Sequence, residues 1–275
     1  MAKQTLGAIA ATLMLFPAVA FGASGKTDCT AQELLGSWGF LSTGQALDSQ
    51  GTAQPYAAAG VLALAADGTF TMTGTQTING TISPFSPTGG TWTLDNSDCK
   101  GTALDQDKSP FFNFVVDGAP PQIEFIRTDL GYIVTGKAQQ MAENCTLSNI
   151  SAAYGYAFNA IVYDVKVDKR LFPELLFAAS GSVTISPENS LKDKVVLNDT
   201  ANFGGVVKPR HYEGTVKIDP DCTGKVTVTL PPTAPTDHHT VHIDTFWVND
   251  RNSVLLIQTD QKTFIAAEAT AQASP

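Results

Sequence analysis

Three of the chain's four histidines fall within one short stretch, TDHHTVHIDTFW, from Thr236 to Trp247. Imidazole and carboxylate are competent zinc or copper ligands, so Asp237, His238, His239, His242 and Asp244 form the strongest chemical cluster in the sequence. The alternation from His242 onward reads as a strand. It places His242 and Asp244 on one face and Val241, Ile243 and Trp247 on the other. His239 and His242 then fall on opposite faces, so a metal site from His239, His242 and Asp244 needs a bulge. The ordinary reading is a turn followed by an exposed strand face.

A second polar group lies in VVKPRHYEG, where Lys208, Arg210, His211 and Tyr212 stand close together. An arginine fork suits a carboxylate, so this segment is a candidate contact for an acidic ligand or protein partner. The other candidates are aromatic. Trp38, Tyr56, Phe85, Trp92, Phe111, Phe112 and Phe114 crowd the first half. They form either a packed interior or an apolar pocket, with Trp38, Tyr56 and Trp92 as ligand contacts. Glu124 and Glu174 sit beside apolar residues without a partner that makes an acid–base dyad. There is no Gly-x-Ser-x-Gly elbow, no phosphate loop and no His-Glu-x-x-His, and no motif calls for a cofactor. No catalytic residue is assigned.

The elements that carry these residues are strands. In GTFTMTGTQTI, Phe70 and Met72 alternate with threonines, and TWTL and KVTVTL repeat the pattern. A period of two with one apolar and one threonine face marks a half-buried strand. Asp67-Gly68, Asn79-Gly80, Gly89-Gly90, Asp117-Gly118 and Gly204-Gly205 read as turns. About eight strands are expected in the first half and a similar number in the second. LFPELLFAA, Leu171 to Ala179, reads as a short helical turn limited by Pro173. The segments QALDSQGTAQPY and TISPFSPTGG read as long loops gathered at one mouth.

The halves are copies. CTAQELLGSWGF matches CTLSNISAAYGY, aligning Cys29 with Cys145 and Trp38-Gly39-Phe40 with Tyr154-Gly155-Tyr156. GGTWTLDNSDCKGT matches YEGTVKIDPDCTGK, and Ile126-Arg127-Thr128-Asp129 matches Ile257-Gln258-Thr259-Asp260. Four cysteines allow three pairings. Only Cys29–Cys99 with Cys145–Cys222 keeps each copy self-contained. A four-cysteine zinc site lacks the short spacing such sites use.

MAKQTLGAIAATLMLFPAVAFGASG has one lysine, an apolar run and a small-x-small end, which reads as a signal peptide over residues 1–22. The expected plan is then a β-domain over 23–142, a second over 143–269 and a tail over 270–275. Export to a periplasmic or secreted location and an even cysteine count agree with disulfides. The formal net charge of −9 argues against a nucleic-acid surface. No other segment is long and apolar enough for a transmembrane helix.

Leu35-Gly36-Ser37-Trp38 resembles the Gly-x-Trp element that opens the first strand of lipocalins, and Thr128-Asp129 with Tyr132 resembles their second element. The resemblance implies a calycin-like barrel whose Trp38 packs across a closed end. The fold expectation is all-β: two tandem antiparallel eight-stranded up-and-down barrels, with β-sandwiches as the alternative. The functional expectation is a secreted, non-enzymatic protein that binds a small apolar ligand or a protein partner. A self-assembling structural protein and a metal-assisted enzyme using the second copy's histidines are the alternatives.

Overall fold

The computed structural model describes residues 29–150, 153–167, 170–186, 193–203, 205–229 and 240–272. The signal-peptide expectation and the final residues of the tail lie outside this set, as do His238 and His239. A 3₁₀ turn, Ala31–Leu34, leads into β1 (Gly36–Leu47), β2 (Ala53–Leu64), β3 (Thr69–Ile78), β4 (Thr81–Asp95), β5 (Lys100–Asp105), β6 (Pro110–Asp117), β7 (Gln122–Arg127) and β8 (Tyr132–Gln140). Each strand pairs antiparallel with the next, and β8 returns to β1, closing a barrel. Closure leaves no unpaired edge.

The second copy repeats this plan with β9 (Ala153–Val167), β10 (Arg170–Ser186), β11 (Asp193–Phe203), β12 (Val206–Ile218), β13 (Thr223–Thr229), β14 (Thr240–Val248), β15 (Ser253–Gln258), β16 (Thr263–Phe264) and β17 (Ala266–Ala271). The last two are one strand position interrupted at Ile265. Both pair with β9, and β9 pairs with β10, so this sheet also closes. The sheet continues past residue 269: β17 reaches Ala271, and the Gln272 N–H donates to Ala153 O at 3.0 Å.

Alternation sorts the side chains. In barrel one, Trp38, Phe40, Tyr56, Leu62, Phe70, Trp92, Phe112, Phe114 and Phe125 are buried in one core, while Thr69, Thr71, Thr73, Thr91 and Thr93 are exposed. An apolar interior beneath a threonine exterior is the inverse of a membrane-spanning barrel, whose apolar band faces outward. Among the described residues no helix is long and apolar enough to cross a membrane.

Both expected disulfides are present, Cys29–Cys99 and Cys145–Cys222. Cys99 and Cys222 occupy equivalent turn positions in the left-handed region, at φ 58° and 64°. Each bond ties the lead-in of its copy to the turn before its fifth strand.

Three local expectations are corrected. QALDSQGTAQPY is a tight hairpin: Asp48 accepts the N–H groups of Gln50 and Thr52, both at 2.9 Å, and lets β1 and β2 run on to Leu47 and from Ala53. TISPFSPTGG belongs to β4, because Asn79-Gly80, with φ of 50° and 74°, turns the chain at once. Gly89-Gly90 is therefore mid-strand, and a Cβ on Gly90 would lie 1.8 Å from Leu104 O. LFPELLFAA lies in β10, where pairing with β9 overrides its helical spacing.

The barrels lie side by side. At one end Met141 bridges Val248, and the Asn249 N–H donates to Gln140 O at 2.9 Å. At the other end the Lys262 N–H donates to Gly80 O at 2.7 Å. Between them Leu41, Ala59 and Val61 of barrel one pack into the core of barrel two. Thr75 donates to Asp244 Oδ2 at 2.8 Å, and Lys137 pairs with Glu268. A Cβ on Gly39 would stand 2.4 Å from Val248 Cγ1, so this seam requires glycine there. The barrels are thus parallel, with like ends on the same side.

Candidate functional site

One interior row differs decisively between the copies. In barrel one, register aligns Phe40, Gly60, Gly74 and Phe85 across β1 to β4. A Cβ on Gly60 would lie 1.9 Å from Thr73 O, so backbone approach requires the glycines. The Phe40 and Phe85 rings meet edge-to-face across them, with centroids 5.7 Å apart. Barrel one is plugged here by two aromatic rings.

In barrel two the same row, across β9 to β12, is Tyr156, Gly181, Asp199 and Arg210. Gly181 leaves the gap through which Tyr156 reaches Asp199, its hydroxyl donating to Oδ2 at 2.7 Å. Arg210 donates to Asp199 through Nε at 2.6 Å and Nη2 at 2.6 Å. The Asp199 side chain is 2% exposed and that of Arg210 17%. The guanidinium also lies near the rings of Tyr212 and Phe177, at 5.3 and 5.8 Å. Burial raises the Tyr156 phenol well above its ordinary value, and donation to the Asp199 carboxylate adds to this. Burial opposes charge on Arg210 more than any other single influence, but the Asp199 hydrogen bonds together with the charges of Tyr212, Asp199 and Tyr156 outweigh it and the guanidinium value rises.

This ionic layer divides the lumen of barrel two. On one side lies the main core, with Tyr154, Val195, Val216, Val226 and Trp247. On the other is an apolar cluster of Ala160, Phe177, Ala179 and Ala201 with Ile265 against it, and Phe158 packs against both clusters. Three of its four buried members are alanines.

The mouths differ as well. In barrel one Arg127, its side chain 9% exposed, donates to Asp129 through Nε at 2.8 Å and pairs with it again through Nη2. Nη1 donates to Tyr56 OH at 3.1 Å, and the guanidinium lies 3.6 Å from the Tyr132 ring centroid. Burial pushes the Tyr56 phenol up to about 12, against the opposing pull of Arg127. Gln258 replaces this arginine in barrel two and donates to Asp260 at 3.0 Å. The equivalence is structural: Thr128 N–H donates to Phe111 O, as Thr259 N–H does to His242 O.

The residues singled out in the sequence separate accordingly. Trp38 is fully buried at the disulfide end, its indole donating to Leu34 O at 2.8 Å beneath the 3₁₀ turn. Register places it opposite Gln140, whereas Tyr132 faces Ala46, so the Gly-x-Trp element and the Thr128-Asp129 turn stand at opposite barrel ends. Trp92 is a core residue donating to Thr69 O at 3.1 Å. Tyr56 belongs to the arginine plug. On β12, Lys208, Arg210 and Tyr212 share one face, while His211 points the other way, its Nδ1 2.6 Å from Asn198 Oδ1. The carboxylate that Arg210 takes is the chain's own Asp199. His242 Nδ1 lies 2.8 Å from Asp260 Oδ1, and Asp244 accepts from Thr75 across the seam. His239 lies outside the described residues, among which no three metal-ligating side chains gather.

Asp199, Gly181 and Tyr156 were not singled out in the sequence. Their signal was the change from Phe40 to Tyr156 in the aligned copies: a hydroxyl added at a buried position requires a partner. Which strand supplies that partner depends on register. Compared with protein-family models, curated proteins and solved structures, the chain matches none.

Proposed function

We propose that this is an exported, non-enzymatic binding protein whose second barrel receives a small apolar ligand at its mouth, with the first barrel as a filled support. The carrying observation is the paired row: Phe40–Gly60–Gly74–Phe85 in one copy, Tyr156–Gly181–Asp199–Arg210 in the other. One copy keeps an apolar plug. The other gives up that packing for a hydrogen-bonded ionic floor beneath an alanine-rich cluster. Phe158 and Phe177 supply apolar contact, and Tyr212 and Arg210 fix orientation, which is the usual composition of a small-molecule site. The calycin-like architecture supports the reading, as do the disulfides and the leader sequence for export.

The test uses the full chain and N-phenyl-1-naphthylamine, a neutral apolar fluorophore. The wild type is expected to enhance its emission saturably. The triple variant Tyr156→Phe, Asp199→Gly, Arg210→Phe rebuilds the first barrel's row and is expected to abolish the effect while retaining a cooperative melt. Equal enhancement by a folded triple variant would refute the assignment.

A second reading, self-assembly, rests on a different observation. The large apolar side chains exposed among the described residues are Leu47, Ile126, Leu130, Ile133, Leu176, Val206 and Val207. Leu47, Ile126, Ile133, Val206 and Val207 lie near strand ends and Leu130 in the β7–β8 turn, at the mouth side of the two barrels, whereas Leu176 lies within β10.

A further inference from the structure

The disulfide ends of the barrels enclose a cleft of about 700 Å³ between them, within the size range of small-ligand sites. Barrel one contributes the start of β7 and the end of β8. The connecting segment forms the floor, and the β14–β15 turn of barrel two forms the far wall. Junctions between two rigid bodies are a preferred place for ligands. This cleft is remote from the mouth of barrel two and independent of the reading given for it.

Its lining has a distinct chemistry. Gln122, Gln139, Gln140, Asn144 and Asn249, five amide-bearing residues, line one space. Each amide presents both donors and an acceptor. Gln139 donates to Gln122 Oε1 at 3.1 Å, and Gln122 donates to Glu124 Oε1 at 3.2 Å, so this wall is an ordered relay. The Gln139 Oε1 acceptor is buried without a hydrogen-bond partner. Across the cleft, Asn249, Asp250 and Arg251 are all left-handed, with φ of 51°, 50° and 68°, and the Asn249 N–H is anchored to Gln140 O. The opposed walls are therefore held together by backbone.

Charge and shape narrow the ligand. Among the described residues no lysine lines the cleft, Glu143 and Asp250 bring carboxylates to it, and Arg251 is paired with Asp250, so an anion finds no open cationic fork. Among the described residues no aromatic or branched aliphatic side chain lines it either, which disfavours an apolar ligand. Pro120, Pro121 and Met141 give small C–H surfaces among the amides. A peptide strand would need an unpaired sheet edge, and both sheets are closed. A molecule with dense hydroxyls that donate and accept, joined by C–H faces, satisfies this lining.

We propose that the inter-barrel cleft is a binding site for a neutral oligosaccharide, recognised by the amides of Gln122, Gln139, Gln140, Asn144 and Asn249. The experiment titrates ¹⁵N-labelled full chain with maltotetraose, cellotetraose and chitotetraose, following side-chain amide signals, with pentaalanine as the peptide comparison. At least one saccharide is expected to shift the Gln140 and Asn249 amides saturably below about 10 mM, a weak-binding range. Gln140→Ala and Asn249→Gly, the latter compatible with the left-handed backbone, are each expected to weaken that saccharide about five- to tenfold, as loss of one or two hydrogen bonds does. Their melting temperatures should match the wild type, which separates lost binding from lost fold. The proposal is overturned if no saccharide moves these signals, if the shifts map elsewhere, if both folded variants bind as tightly as the wild type, or if only pentaalanine binds.

Discussion

At the residue scale, the energetic centre of barrel two is a charge pair withdrawn from water. Two such charges offset their desolvation only while both remain and their other bonds are satisfied. Arg210→Ala leaves Asp199 buried with Tyr156 as its remaining hydrogen-bonding partner in the row. The expected loss is about 3–5 kcal/mol, the range for breaking a buried pair from one side. Urea unfolding read by Trp247, in a chain carrying Trp38→Phe and Trp92→Phe, isolates barrel two for this measurement. A loss below about 1 kcal/mol would show that the layer is solvated and does not act as the floor of a compartment. In barrel one, Trp38 carries no comparable electrostatic risk, since its indole is satisfied by Leu34 O and its ring is buried in apolar packing.

At the element scale, the hairpins of barrel one depend on aspartates that accept from their own turns. Asp48 lies below the usual 3.8 because the Thr52 and Gln50 N–H groups bind its carboxylate. Asp67 is lowered by the Thr69 hydroxyl and N–H, and Asp95 by those of Ser97. A carboxyl group depressed in the folded state contributes stability above its unfolded value, and that stability is lost as pH falls through the folded value. Calorimetric melts are therefore expected to hold steady from neutral pH to about 5 and to fall below about 4, where unfolded aspartate takes up protons. The variant Asp48→Asn, Asp67→Asn, Asp95→Asn should show a smaller acid-induced fall. An identical fall in both proteins would assign acid sensitivity to other groups. One disulfide reaches the Asp95 turn through Cys99, and the two bonds close loops whose cysteines are 70 and 77 residues apart. In the chain-entropy account each contributes about 4 kcal/mol by restricting the unfolded chain.

At the scale of the whole molecule, the two ends are chemically unlike. One holds both disulfides, the connecting segment and the amide-lined cleft. The other holds the Arg127 plug and the exposed apolar side chains, including Leu130 at 98% and Ile133 at 66% exposure. Contiguous exposed apolar surface marks interaction sites. If this end mediates self-assembly, light scattering should show concentration-dependent growth that Leu130→Ser with Ile133→Ser suppresses. A monodisperse monomer at all concentrations would remove the self-assembly reading and leave the ligand reading untouched.

Much of this architecture was legible in the residues. Threonine alternation marked the strands because a period of two has one physical cause. The aligned cysteines defined the bridges because only one pairing leaves each copy intact. Even the faces of His242 and Trp247 followed from local alternation. Other features depended on pairing over long distances. Gly89-Gly90 has turn composition, yet lies within β4 because the neighbouring backbone excludes a Cβ. LFPELLFAA has helical spacing, yet extends because β9 supplies its hydrogen bonds. Arg210 was visible as a cation, but its partner Asp199 comes from another strand through a register that no local pattern encodes. The cleft between the barrels was decided entirely by tertiary structure, because its walls come from β7, β8, the connecting segment and the β14–β15 turn, which the backbone bond of Asn249 to Gln140 and the close packing at Gly39 bring face to face.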